Sequence, residues 1–366
     1  MAMMLLRTAM VLTSLFALTC CTPVAQTPYQ WKLPAGFPQP LVPADNPMSD
    51  AKVELGRAIF YDRNLSFNGK LSCADCHQQL HAFAQPTTTT MGASGEVHRR
   101  NSQVLVNVAY NGSLTWAHTG LNTIEQQLLI PMFSETPVEL GITGHEEEVL
   151  ARFNNSRYQQ LSEQAFATQQ LDFELIVKAL ASFVRSLVSF DSAFDRYAYQ
   201  QQDDALNDSA KRGLELFFNE RFECFHCHGG FNFTQSSKHE YQQLDLQPFH
   251  NIGLYNTNGE GAYPDSDQGL IEVTLEAIDM GKFRAPTLRN IAVSAPYMHD
   301  GSLETLDQVI DFYIAGGRAE GIASPIKSVF LQGIDMTPEE KQDLIAFLNS
   351  LTDDEFLTNP DFAAVK

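Results

Sequence analysis

Four cysteines fall into two copies of one pattern, Cys73-Ala74-Asp75-Cys76-His77 and Cys224-Phe225-His226-Cys227-His228. Cys-x-x-Cys-His is the attachment signature of c-type haem. The spacing has a chemical reason. Two thiols three positions apart reach both vinyl groups of one porphyrin, and the adjacent His lies under the iron to donate an imidazole nitrogen. Two pentads therefore predict two covalent haems, with His77 and His228 as proximal ligands. A redox Cys-x-x-Cys would not need the following His. A zinc site would pair the two Cys-x-x-Cys units, but they stand about 150 positions apart.

The elements that must present these motifs also come in two copies. Leu55-Gly56-Arg57-Ala58-Ile59-Phe60-Tyr61 precedes the first motif, and Arg212-Gly213-Leu214-Glu215-Leu216-Phe217-Phe218 precedes the second. Each reads as a short helix with an apolar face, followed by a loop into the motif, as if a cytochrome c unit had been duplicated. Between them, Leu175, Ala179, Leu180, Phe183, Leu187 and Phe190 repeat at helical spacing within Phe173–Tyr199. The polar run Gln200–Asn207 is the best boundary. Near the end, Thr337 caps a last helix, Pro338 takes its first position, Glu340 closes a capping box, and Leu344, Phe347 and Leu348 face inward. Strand signals are few, so the fold class is mostly α.

Composition narrows the function. Hydrophobic residues make up 44% of 366 and charged ones 19%, enough apolar material for a core, which excludes disorder or coiled coil over the whole chain. The net charge of −20 argues against nucleic acid as a partner, because phosphate binding needs clustered Lys and Arg. Residues 1–20 read as a signal peptide: Arg7 precedes the apolar run Met10–Thr19, which is too short to span a bilayer. Leu18-Thr19-Cys20-Cys21 resembles a lipoprotein cleavage box, although Cys20 stands where a small residue is usual. Lipid on Cys21 and cleavage without lipid both remain open. The expected location is the periplasm, with or without a lipid anchor. Residues 21–48, rich in Pro, read as an extended leader on the domain surface.

From Leu55 to Thr352 the chain resembles the bacterial diheme cytochrome c peroxidases and MauG. The matching stretches are Arg100-Asn101-Ser102, Leu105-Val106-Asn107-Val108-Ala109-Tyr110, Phe249-His250-Asn251-Ile252-Gly253-Leu254, Phe283–Asn290 and Ala295–Gly301, beside the two haem motifs. Gly253–Met280 and the end of the chain look more like the MbnH branch, which oxidises a tryptophan of a partner copper-binding protein to kynurenine. The resemblance implies two cytochrome c-like haem domains, 49–199 and 200–352, packed with the haems facing a shared interface, and a tail over 353–366.

It also implies which iron is open. In the conventional peroxidases a distal His stands over the first haem. Aligning on Arg100-Asn101 puts Ala93 there, and alanine cannot bind iron. His98, five positions on, is the substitute to consider. The first haem is therefore expected to be five-coordinate. The second haem's distal Met is replaced by Tyr313, as in MauG. Leu306, Val309, Ile310 and Tyr313 share one helical face, so Tyr313 points inward. A thioether favours ferrous iron, whereas a phenolate favours higher oxidation states. Met298 and Met280 are the competing ligands.

Trp116 matches the tryptophan between the haems. The family's Trp-Asp-Gly-Arg has become Trp116-Ala117-His118-Thr119-Gly120, which leaves the Asp and Arg roles unfilled and makes His118 a candidate pocket group. Glu139 matches the distal carboxylate that takes and returns a proton during peroxide cleavage. Gln127 and Pro131 match the pocket Gln and Pro. The family's calcium would fall to the Asn101 side chain and the carbonyls of Ser294 and Pro296. His226 and His250 have no ligand role. These residues predict an enzyme of haem peroxidase type. Hydrogen peroxide would form a high-valent diheme state that oxidises a partner protein. The alternatives are a cytochrome c peroxidase fed by a small redox donor, and a plain electron carrier with two six-coordinate haems.

Overall fold

The computed structural model describes residues 29–242 and 248–365. The expected signal peptide, with Cys20 and Cys21, lies outside the described residues. The first half holds α1 (Asp50–Phe60), α2 (Cys73–Cys76), α3 (Ile124–Phe133), α4 (Glu146–Arg152), α5 (Ser156–Phe166), α6 (Phe173–Ser186) and α7 (Ala193–Tyr199). The second holds α8 (Asp208–Phe217), α9 (Phe225–His228), α10 (Ile271–Thr274), α11 (Leu306–Ala315), α12 (Pro338–Asn349) and α13 (Asp354–Thr358). Among the described residues the sheet is one antiparallel pair, β1 (Phe249–His250) on β2 (Phe283–Arg284). The chain is mostly α, as its composition of signals predicts. Among the described residues no helix is long and apolar enough to cross a membrane.

The duplication seen in sequence is a duplication of packing. α1 crosses α6, and α8 crosses α12. Each crossing has its glycine at the point of closest approach. A β-carbon on Gly56 would collide with the Ala179 carbonyl, and one on Gly213 with the Asp343 carbonyl. Helices this close leave room only for hydrogen at the contact. The matched Gly56 and Gly213 of the sequence thus perform one steric task twice.

Leu55, Ile59, Phe60, Phe83, Leu180 and Phe183 form the centre of the first core; Phe217, Phe233, Leu344 and Phe347 form that of the second. A third cluster joins them, with Trp116 from the first half packed among Leu254, Tyr263, Phe283, Phe312 and Tyr313. A buried ion pair also ties the joint: Arg289 donates to Asp195 at 2.8 and 2.9 Å, with both side chains essentially sealed.

Two details differ from the sequence reading. The helical repeat over Phe173–Tyr199 is two helices. α6 stops at Ser186 and α7 restarts after Ser192, which forms a capping box with Asp195. The break is needed because Ser189 bonds Asn107 and Asp353 instead of continuing the helix. The expected tail is an element of the first core: α12 is followed by α13, and Phe356 and Leu357 are buried against the N-terminal half. Gln79, Arg57 and Tyr61 donate to backbone carbonyls between Phe356 and Phe362. Apolar side chains placed after a polar turn, invisible to local periodicity, decide this packing. In the described part of the leading segment, Phe37 stands edge-on to Phe190, Tyr199 and Phe231.

Candidate haem sites

Both pentads sit on a single helical turn that ends at the histidine. Ser72 and Asp75 form a capping box that starts the first. Burial raises Cys73 to about 12 and Cys76 to about 11, and Cys224 and Cys227 to the same values. The thiols are thus protonated and suited to addition across vinyl groups, not poised as redox thiolates. The His77 Nδ1–H donates to the Phe83 carbonyl at 2.7 Å. That of His228 faces the Pro286 and Phe233 carbonyls at 3.0 and 3.3 Å. Each bond leaves Nε2 as the ligating nitrogen and fixes the ring plane. Burial lowers both imidazoles, His228 to about 4, so the rings are neutral as ligation requires.

Above His228 opens a cleft of about 1810 Å³ of non-protein space, its mouth included, lined by Cys224, Cys227, Trp116, Arg284, Met298 and Tyr313. Leu306, Val309 and Ile310 line it beside Tyr313, so the inward face of α11 is the one the sequence predicts. Burial raises Tyr313, with Cys227 and Cys224 adding to the effect, which places the phenol close to the attachment thiols. Met298 lines the same cleft from a left-handed backbone (φ 71), a conformation costly for a long side chain. Met280 does not line it; its carbonyl accepts from Asn251.

The residues fit a porphyrin. Two buried donors on the cleft wall, Arg284 Nη1 and Gln103 Nε2, have no protein acceptor. Burial pushes Arg284 down to about 10, and among the described residues no carboxylate pairs with it; Nε donates to the Thr115 carbonyl and Nη2 to Gln103 Oε1. A buried guanidinium with no counter-charge calls for an anion, and a haem propionate would supply one. Sequence reasoning quoted Arg284 within Phe283–Asn290 but gave it no role. Its local signal is weak, an Arg between Phe283 and Ala285 with Lys282 and Arg289 nearby.

On the first side, the segment 134–142 folds back along α3. Leu140 N–H donates to the Pro131 carbonyl at 2.8 Å and Ile142 N–H to that of Met132 at 2.9 Å. This sets Glu139 beside the Pro131 end of α3; one turn earlier, the buried Gln127 Oε1 has no hydrogen-bond partner among the described residues. After burial, the Glu139 charge is the next largest influence raising Cys76, so the carboxyl faces the first attachment site. Burial raises Glu139 itself to about 7. Ala93 is held against it, its N–H donating to the Glu139 carbonyl at 2.7 Å.

The segment Asn101–Val104 runs between the sites. The Gln103 backbone reaches the His77 ring, while its side chain lines the second cleft. Trp116 Nε1 donates to the Asn101 carbonyl at 2.8 Å, holding the indole at this divide. Asn101, Ser294 and Pro296 also line the cleft; the Asn101 amide donates to Thr87 and Thr88 carbonyls, leaving its Oδ1 for a cation. His118 is spent on its own turn, accepting from the Gly120 N–H at 2.9 Å. His250 pairs with Gln235 and His226 with Glu223.

Two haem-attachment helices, each with an imidazole tied to a backbone carbonyl, define a diheme c-type cytochrome. Residues 50–204 match the di-haem cytochrome c peroxidase family. The chain is 34% identical to the cytochrome-c peroxidase IdrP1 of Pseudomonas sp. strain SCT, over 89% of this chain and 87% of that protein. It is 30% identical to the methylamine utilization protein MauG of Methylophilus methylotrophus, over 88% of each. A solved MauG-like protein associated with microbial copper homeostasis superimposes with a TM-score of 0.89 at 43% identity, covering 92% of this chain and 99% of that one. The chain belongs to the di-haem cytochrome c peroxidase and MauG family, and is a haem oxidoreductase of diheme peroxidase type.

Proposed function

We propose that this protein is an exported, MauG-like and MbnH-like oxidase that uses hydrogen peroxide to oxidise a tryptophan of a partner protein. The observation that carries the reading is the contrast of distal residues: Glu139 and Ala93 over the first haem, Tyr313 over the second. Its likeness to the copper-associated MauG-like protein supports a metal-binding partner. When bound at Cys73, Cys76 and His77, the first haem would supply the redox chemistry, giving the two electrons that break the O–O bond.

The chain's own groups do the rest. Glu139 takes the proton from one oxygen and returns it to the other, which leaves as water. Burial holds its affinity near neutrality, where both transfers are feasible. Gln127 and Pro131 shape the pocket. Trp116, fixed by Asn101, couples the two sites. Tyr313 is neutral in its buried setting and gives up its proton to become a ligand when a cation faces it, as a metal requires of an acidic ligand. Arg284 holds a propionate. Asn101, Ser294 and Pro296 hold calcium, with neutral oxygens suited to a hard cation. The halves 49–199 and 200–352 act as the two haem domains. The periplasm, with or without lipid, is the site of action.

The test is optical and EPR spectroscopy of the diferric protein before and after one equivalent of peroxide. A high-spin first haem beside a low-spin His–Tyr haem, converting to a long-lived oxidised state, is expected. The cytochrome c peroxidase reading draws on Met298 in the same cleft. A methionine-ligated second haem, with fast turnover of a reduced cytochrome, would establish it.

A further inference from the structure

We propose that His98 is a positioning residue for proton transfer above the first haem, keeping the Glu139 carboxylate in its base form. This rests on the reading of Glu139 as proton acceptor.

The loop that would carry an iron-ligating His at position 93 is built for another purpose. Its strands pair at Met91 and Val97, with Gly92 N–H donating to the Glu96 carbonyl at 2.8 Å and His98 N–H to the Thr90 carbonyl at 2.9 Å. Three contacts staple this hairpin to the Glu139 segment. Ala93 N–H donates to the Glu139 carbonyl, Val138 N–H donates to Glu96 Oε2 at 2.7 Å, and Gly92 lies so close to the Val138 carbonyl that a β-carbon would collide. The hairpin therefore cannot shift relative to Glu139. Its end delivers His98 Nδ1 to 3.8 Å from Glu139 Oε1, with the imidazole 13% exposed.

Among the described residues no other basic side chain lies within ion-pair reach of that carboxylate. The neighbouring cations are turned away: Arg99 grips Glu272 and Arg100 grips Asp267. The charged groups facing His98 are thus Glu139 and Glu96. Two acids and one imidazole at this spacing make a site that can share a proton. Burial lifts Glu139 and lowers His98, so each group's hold on its charged form is weakened and the 3.8 Å contact between them bears on where the proton rests.

The balance is simple. Peroxide loses a proton from one oxygen to Glu139, the O–O bond breaks with its electron pair on the departing oxygen, and the proton returns to that oxygen as water forms. The two electrons come from the first haem. His98 is unchanged at the end. When it carries a proton, it favours the ionised Glu139, the form needed at the start.

Hydrogen cyanide, which must shed a proton to bind ferric haem, tests this without turnover. On the full diheme chain, its association rate should rise with pH through a midpoint near Glu139's value of about 7. His98→Gln should move that midpoint up by roughly one pH unit and slow binding below it roughly tenfold, with the resting EPR spectrum unchanged. Glu139→Gln should flatten the profile, and adding His98→Gln should then change nothing further. A profile lost in Glu139→Gln but untouched in His98→Gln overturns this inference alone. A first haem that turns from low-spin to high-spin in His98→Gln makes His98 a ligand and also overturns it. A profile that survives Glu139→Gln overturns the reading of Glu139 itself.

Discussion

The two halves share a scaffold and differ in what they hang above it. Each has a helix pair locked by a glycine, at Gly56 and at Gly213, and each ties its proximal imidazole to backbone carbonyls. The distal groups come from outside the repeated unit. In the first half they arrive on two stapled loops, one bearing Ala93 and His98, the other Glu139. In the second, α11 brings Tyr313 to the cleft wall. The repeated part fixes where a haem is held, and the unrepeated part fixes what that haem does.

The strongest way to break this contrast is at Glu139. Glu139→Gln keeps the shape and removes the base, so stopped-flow mixing with peroxide should show a rate lower by about 10²–10⁴-fold. In the parent, that rate should fall as pH drops through about 7, because protonation removes the acceptor. An undiminished rate would mean that the halves do not differ in this way.

The contrast sharpens at the buried ion pairs. Asp195→Ala strands Arg289 in a sealed site and should cost about 3–5 kcal/mol, read by chemical unfolding of the diheme protein. Glu125→Ala strands Arg185 similarly, but Glu125 is 19% exposed, so water relieves part of the loss and the effect should be smaller. Next come the glycines. Gly56→Ala and Gly213→Ala force the crossing helices apart and should each cost about 1–3 kcal/mol, equally if the packing is truly repeated. The smallest pair is the caps of the partner helices. Asp172 accepts from Leu175 N–H at 2.8 Å and Thr337 from Glu340 N–H at 3.2 Å; alanine at either should cost about 1 kcal/mol.

The sequence made legible what is local. The attachment pentads, the matched glycines and the capping box at Thr337 each fit within a few residues, and the inward face of α11 follows from helical spacing. What escaped was long-range. Arg284 and Gln103 lie far apart in the chain, and only the fold puts their unpaired donors in one cleft. The break between α6 and α7 depends on Ser189 meeting Asp353 across most of the second half. His98 reaches Glu139 because two loops are stapled together, which neither loop's residues announce.

The closing segment has a consequence for biosynthesis. Phe356 and Leu357 complete the core built around α1 and α6, and Gln79, Arg57 and Tyr61 bind the carbonyls that follow. The first core is therefore finished by a segment 301 positions later than Tyr61. Until translation reaches Phe362, the first haem-binding half keeps an apolar seam open beside the helix that leads into Cys73. Domains commonly fold in order of synthesis. Here the first can seal only after Phe356 and Leu357 have emerged.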